Sequence, residues 1–267
     1  MLRTRVITAL LLVGALALIL FAMPPQAAAL TFATIAALAG WEWGGLMKQD
    51  KPTSMLYAGL LLVFCWQLTV AAPELAPVLL ALAAAFWLLV VPLWLRFKWT
   101  LAGNDAFGYL IGVLVILPAW AAMVALNAVS VWLLLAAMGL VWVADISAYF
   151  AGRAFGKHKL APSISPGKTW EGVAGAAVGV FIYGGIVLGF SPLAGRLPLP
   201  IPLIVLLLIL LTAVSVIGDL FESLLKRQAG IKDSSGLLPG HGGVLDRIDA
   251  LTSTLPIAAL ILYLTRP

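Results

Sequence analysis

Charge is what this sequence has least of. Only 10% of its 267 residues are Asp, Glu, Lys or Arg, 63% are hydrophobic, and the mean hydropathy is +1.10. That balance excludes a soluble domain, in which about a quarter of residues are charged and about half apolar. Cysteine and histidine are nearly absent too. The single Cys65 has no partner for an internal disulfide and reads as a small buried hydrophobe. His158 and His241 are far apart with no cysteine nearby, so no zinc pattern is present. Internal repeats and low-complexity tracts are also missing. The chain therefore reads as a single membrane domain, 1–267, with residues 1–130 as a helical scaffold and 131–267 as the part whose helices and cytoplasmic loops hold most of the ionisable residues.

Long apolar runs fill the space that charge leaves. A membrane-crossing helix needs about 20 mostly apolar residues. Nine such runs are predicted, at 6–23, 28–46, 55–71, 76–95, 108–126, 130–150, 172–190, 200–220 and 250–265. Because the bilayer core offers backbone groups no water, the runs must be helices, and the predicted class is an all-α, polytopic membrane protein. Lys and Arg gather in cytoplasmic loops. With the N-terminus placed in the cytoplasm, only Arg196 and Arg266 of the 16 basic residues fall on the far side. The net charge of +5 thus follows from topology and calls for no nucleic acid partner.

Three features of the first part read simply. The first run, behind Arg3 and Arg5, is long for a signal peptide, and Met23-Pro24-Pro25 offers no small-residue cleavage site, so it reads as a retained anchor. Glu42, between Trp41 and Trp43 and close to Lys48, reads as a carboxylate at the headgroup level. Asn104-Asp105 reads as solvated loop.

The few charges of the second part form two clusters. One runs from Asp145, inside the sixth run, through Arg153 to Ser165-Pro166-Gly167-Lys168-Thr169-Trp170-Glu171-Gly172. A carboxylate within a span is costly unless it is paired or binds a cation, which marks Asp145 as functional, with an Arg153 pair as the alternative. Gly167-Lys168-Thr169 is not a P-loop, since the required upstream glycine is Pro162. What remains is a loop with a lysine, hydroxyls and glycine amides, suited to phosphate.

The second cluster starts at Asp219, with Glu222 and Ser223 on the same helical face. Lys226-Arg227, Lys232-Asp233, His241-Gly242-Gly243 and Asp246-Arg247-Ile248-Asp249 follow. Hard carboxylates suit Mg²⁺, which takes one or two protein carboxylates together with substrate phosphates. Lys, Arg and the paired glycines suit the phosphates themselves. Together they are the equipment of phosphoryl or nucleotidyl transfer.

The run Ser223-x-Leu225-Lys226-Arg227-x4-Lys232-Asp233-x-Ser235-x2-Leu238-Pro239-x-His241-Gly242-Gly243-Val244-x-Asp246-Arg247-Ile248-Asp249 resembles the signature of the phosphatidate cytidylyltransferases, or CDP-diacylglycerol synthases. The Ser165 to Gly172 segment resembles that family too, with no departure in either motif. The resemblance implies Mg²⁺-dependent transfer from CTP to phosphatidate, giving CDP-diacylglycerol and pyrophosphate for phospholipid biosynthesis. It places the chain in the bacterial inner membrane, with the site on the cytoplasmic face.

Under that resemblance Asp219, Asp246, Asp249 and Asp145 are the candidate metal ligands. Lys226, Arg227, Arg247 and His241 join Asp219 and Asp246 as candidate catalytic residues. Ser165, Lys168, Thr169, Ser223, Lys232, Asp233, Gly242 and Gly243 are candidate substrate contacts. The resemblance alone also suggests a homodimer.

Two other readings compete. A CTP-dependent polyprenol or phytol kinase would release CDP instead of a CDP-lipid, and a transporter could use Asp145 and Asp219 on an ion path. A CDP-alcohol phosphatidyltransferase is excluded, because its Asp-Gly-x2-Ala-Arg core is absent.

Overall fold

The computed structural model describes residues 2–101, 105–193 and 199–265. Asn104, Arg196 and Arg266 lie outside the described residues. Within them each predicted run is a helix: α1 Leu2–Phe21, α2 Pro25–Leu46, α3 Lys51–Val70, α4 Pro73–Phe97, α5 Asp105–Val129, α6 Val131–Phe155, α7 Trp170–Phe190, α8 Ile201–Ala229 and α9 Leu245–Thr265. Eight of these are long and apolar enough to cross a bilayer. The other, α2, has 22 residues, but Trp41, Glu42, Trp43 and several glycines lower its hydropathy. The chain is a multi-pass membrane protein.

Local chemistry sets many of the helix ends. The Asp50 carboxylate accepts the Thr53 amide at 2.9 Å, and the Ser130 hydroxyl accepts that of Trp132 at 3.2 Å. Thr169 caps α7 by accepting the Gly172 amide at 3.1 Å. Prolines at the first helical positions open α2, α3 and α8. Gly230, at φ 78°, closes α8 in the left-handed conformation that glycine adopts without strain.

Two segments differ from expectation. The stretch 221–249 between the last two predicted runs is about half helix: α8 continues to Ala229 and α9 begins at Leu245, leaving a loop of 230–244. Lys226 and Arg227 at the end of α8 favour that extension, because cations complement the negative end of a helix. The predicted loop before α7 is an antiparallel hairpin, β1 Lys159–Ala161 and β2 Ser165–Thr169, with Lys159 opposite Thr169 and Ala161 opposite Ser165. Five residues of period-2 backbone among glycine and proline gave no alternating apolar signal to read.

Packing fixes the helices that carry the charged clusters. Within α4 a π-helical turn, Phe86–Val90, turns Phe86 and Trp87 onto Phe221 of α8, with ring centroids 5.8 and 5.5 Å away. Trp94 adds a third ring at 5.4 Å. This cluster holds the turn of α8 that bears Asp219 and Glu222. Between α6 and α7 the backbones approach closely at Gly175, where a Cβ would press on the Ala151 side chain and lie 3.1 Å from the Ser147 carbonyl.

Several contacts bring the charged ends together. Thr8 of α1 donates to the Pro239 carbonyl at 2.9 Å, Gln49 to Asp105 at 2.8 Å, and Gln228 of α8 to the Trp99 carbonyl at 2.9 Å. Arg227 donates to the Ile164 carbonyl in the hairpin turn at 3.5 Å. The hairpin, the 230–244 loop and the start of α1 therefore share one end of the bundle.

Candidate active site

The end of α8 and the start of α9 face each other through one buried cation. The Lys226 ammonium lies 2.7 Å from Glu222 and 2.6 Å from Asp246. All three side chains are largely withdrawn from solvent, so each charge depends on its partners. The other oxygen of Asp246 accepts the Ser234 amide and the Gly243 amide, both at 2.8 Å, and the Ser234 hydroxyl at 3.0 Å. Asp246 thereby ties the 230–244 loop to α8.

A second carboxylate completes this tie from the far end of the sequence. Glu42, 2% exposed, accepts the Val244 amide at 2.9 Å and the Leu245 amide at 2.7 Å, at the N-terminus of α9. It also accepts the Ser235 hydroxyl at 2.6 Å and the Ser234 hydroxyl at 2.9 Å. The expectation of a carboxylate bathed by headgroups is thus corrected: Glu42 is a buried cap for another helix. Donated amides and the positive end of the α9 dipole make that burial favourable. Gly243 is needed here, because a Cβ would collide with both Glu42 oxygens and the Ser234 hydroxyl. The signal in the sequence was a lone acid in an otherwise apolar run.

Two cavities flank the tie. The first, a cleft of about 430 Å³, lies between α6, α7, α8 and the hairpin. Asp145, Arg153, Ser165, Lys168, Thr169 and Asp219 supply its polar wall, and Ala144, Ala148, Leu160, Val173 and Ala176 its apolar one. Lys168 forms an ion pair with Asp219, whose other oxygen accepts the Ser223 hydroxyl at 3.3 Å. Arg153 donates to Tyr149 at 3.1 Å, while Asp145 interacts electrostatically with Asp219, Lys168 and Arg247. The Arg153 pair considered for Asp145 is not formed.

The second cavity, a chamber of about 600 Å³, is lined by Arg5, Lys232, Asp233, Ser235, His241, Gly242 and Arg247, among others. Its wall turns at Gly240 and Gly242, at φ 78° and 80°, where the Leu238 amide bonds the Gly242 carbonyl at 2.8 Å. His241 Nδ1 is buried there with no partner among the described residues.

The sequence-selected residues therefore fall into three groups. Asp145, Ser165, Lys168, Thr169 and Asp219 line the cleft, with Ser223 beside Asp219. Lys232, Asp233, His241, Gly242 and Arg247 line the chamber. Lys226, Asp246 and Gly243 form the tie between them. Thr169 is buried and uses its hydroxyl as a helix cap. Asp249 lies within electrostatic reach of Asp145, Asp219 and Glu222. Among the described residues no group of three or more His, Cys, Asp or Glu side chains is arranged to hold a metal ion. A cation here would rest on a carboxylate pair plus substrate phosphates, the usual manner for Mg²⁺, and the facing acids Asp145 and Asp219 fit that need.

Known proteins resemble this chain in sequence along nearly its whole length. The sequence profile described as the cytidylyltransferase family matches residues 3–265. A phosphatidate cytidylyltransferase of Pseudomonas aeruginosa is 40% identical over 277 residues, covering 98% of this chain and 97% of its own. That of Haemophilus influenzae is 35% identical over 280 residues, covering 96% of each. That of Bacillus subtilis is 41% identical over 124 residues, covering 46% of this chain and 45% of its own.

Proposed function

This chain belongs to the cytidylyltransferase family, and on that premise we propose that it transfers the cytidylyl group of CTP to phosphatidate, giving CDP-diacylglycerol and pyrophosphate. The observation that carries this reading is the pair of cavities beside the Lys226–Asp246 tie, a largely apolar cleft holding Asp145, Lys168 and Asp219 and a polar chamber holding Lys232, His241 and Arg247. A cleft with an apolar wall suits a lipid phosphate, and a polar chamber suits a soluble nucleotide.

In the reaction an oxygen of the phosphatidate phosphate forms a bond to the α-phosphorus of CTP. The bond from that phosphorus to the bridging oxygen breaks, and pyrophosphate leaves with the electron pair. The chain's task is to position two polyanions and offset their repulsion. Lys168, released from Asp219, reaches a phosphate in the cleft, with Ser165 beside it. Lys232, Arg247 and His241 serve phosphates in the chamber, and the Gly242-Gly243 backbone lets a ligand approach closely. Lys226 and Arg227 act on the frame, one holding Asp246 and the other the hairpin turn. Asp145 and Asp219, with Asp249 near, are the residues that would hold Mg²⁺, which when bound neutralises charge on the reacting phosphates.

The same reading puts the site at the cytoplasmic face of a bacterial inner membrane, where the basic ends gather. The test is incubation of detergent-solubilised protein with phosphatidate and CTP labelled at the α-phosphorus, with and without Mg²⁺. Mg²⁺-dependent label in the lipid phase is the expected result. Label remaining in water while γ-labelled CTP labels lipid would overturn the reading in favour of a lipid kinase.

A further inference from the structure

From the chamber's wall we infer that Arg5, on the first helix, binds a substrate phosphate, so that α1 is part of the active site as well as an anchor. The inference rests on the proposed cytidylyl transfer. Three observations lead to it. Arg5 lines the chamber together with Lys232, His241 and Arg247. The start of α1 is fixed there: Thr8 donates to the Pro239 carbonyl at 2.9 Å, and a Cβ on Gly240 would lie 3.0 Å from the Arg5 side chain. Finally, three permanent cations, Arg5, Lys232 and Arg247, line the space against the single carboxylate of Asp233, and none of the three has an ion pair among the described residues.

Unpaired cations held around one cavity repel one another, and a polyanion relieves that repulsion. Guanidinium groups suit phosphate because their parallel N–H groups bind two oxygens at once. Unlike the cleft, the chamber has Leu238 as its one large apolar side chain. A water-soluble polyphosphate fits such a wall better than a lipid headgroup with its acyl chains. The phosphate assigned to Arg5 is therefore in the triphosphate of CTP, retained in the pyrophosphate product.

Arg3 supplies the control, because it carries the same topological charge on the same helix and does not line the chamber. Steady-state kinetics of wild type, Arg5→Gln, Arg5→Lys and Arg3→Gln would be compared, each checked for monodispersity and thermal stability. Arg5→Gln is expected to raise KM for CTP and the inhibition constant for pyrophosphate by about tenfold or more, the worth of one hydrogen bond to a charged group. Arg5→Lys should recover part of that loss, and Arg3→Gln should match wild type. A rise confined to the KM for phosphatidate would assign Arg5 to the lipid phosphate instead. KM values for both substrates within about twofold of wild type, well under one such hydrogen bond, would overturn the inference.

A readout without turnover guards against poor folding of Arg5→Gln. In Arg5→Cys the only other thiol, Cys65, is buried. Saturating pyrophosphate should slow alkylation of the new thiol, and unchanged alkylation would count against the assignment. Failure of the wild type to make CDP-lipid would instead remove the premise.

Discussion

Four carboxylates at this end of the bundle divide into two pairs. Glu42 and Asp246 are saturated: each accepts backbone amides and hydroxyls, and Asp246 also accepts an ammonium. Asp145 and Asp219 are open. Asp145 has no hydrogen bond among the described residues, and Asp219 meets only Ser223 and the mobile-stemmed Lys168. In a bundle surrounded by lipid, an acid must be fully satisfied or must face a polar cavity. The first pair ties elements of the fold together, and the second is the pair that the proposed function assigns to a ligand.

The largest effect should come from removing the cation that the frame shares. Lys226→Met leaves Glu222 buried without its cation and Asp246 with only its hydrogen bonds to Ser234 and Gly243, at a cost of about 3–5 kcal/mol. A steep fall in the melting temperature in detergent is expected, and an unchanged one would show that the three groups are not a structural unit.

Next come substitutions that separate the pairs. Asp219→Asn should lower turnover by about a thousandfold, as loss of a group acting on the reacting charge does, with thermal stability retained. Asp246→Asn should lower both. If Asp246→Asn kept its melting temperature while turnover vanished, Asp246 would belong with the open acids.

Glu42→Gln should be milder, because its amide oxygen still accepts while its NH₂ group faces donors. A loss of about 2 kcal/mol is expected, read by thermal unfolding, with a lesser loss of turnover. No change in stability would show that the cap formed by Glu42 does not hold α9 in place. The smallest effect should come from Glu171→Gln, at the edge of the hairpin. Its partner His158 is 78% exposed at 2.6 Å. Solvent-facing pairs contribute little, so activity should stay within about twofold.

The saturated pair also shows where the sequence stops being legible. Asp246 was recognisable because it sits in a run of charged and glycine residues that point to phosphate chemistry. Glu42 was misread because its neighbours, Trp41 and Trp43, are the residues of a membrane interface. Its donors lie 192 to 203 positions away, beyond any local pattern. Arg5 was legible only as a topological charge for the same reason. The hairpin at 159–169 escaped notice because its glycine and proline carry no alternation.

Sequence alone determined the helical class and the approximate place of nine helices, eight of them long and apolar enough to span, because the bilayer requires long apolar runs whatever their neighbours. It also singled out Asp145, Lys168, Asp219 and the run to Asp249 as candidate site residues, because charge in such a chain is costly wherever it is not used. Tertiary structure decided which acids are saturated and which are open, and that α1 and α2 reach the site. Those outcomes depend on which donors and cations the packing brings within about 3 Å of each carboxylate, a distance that local spacing does not encode.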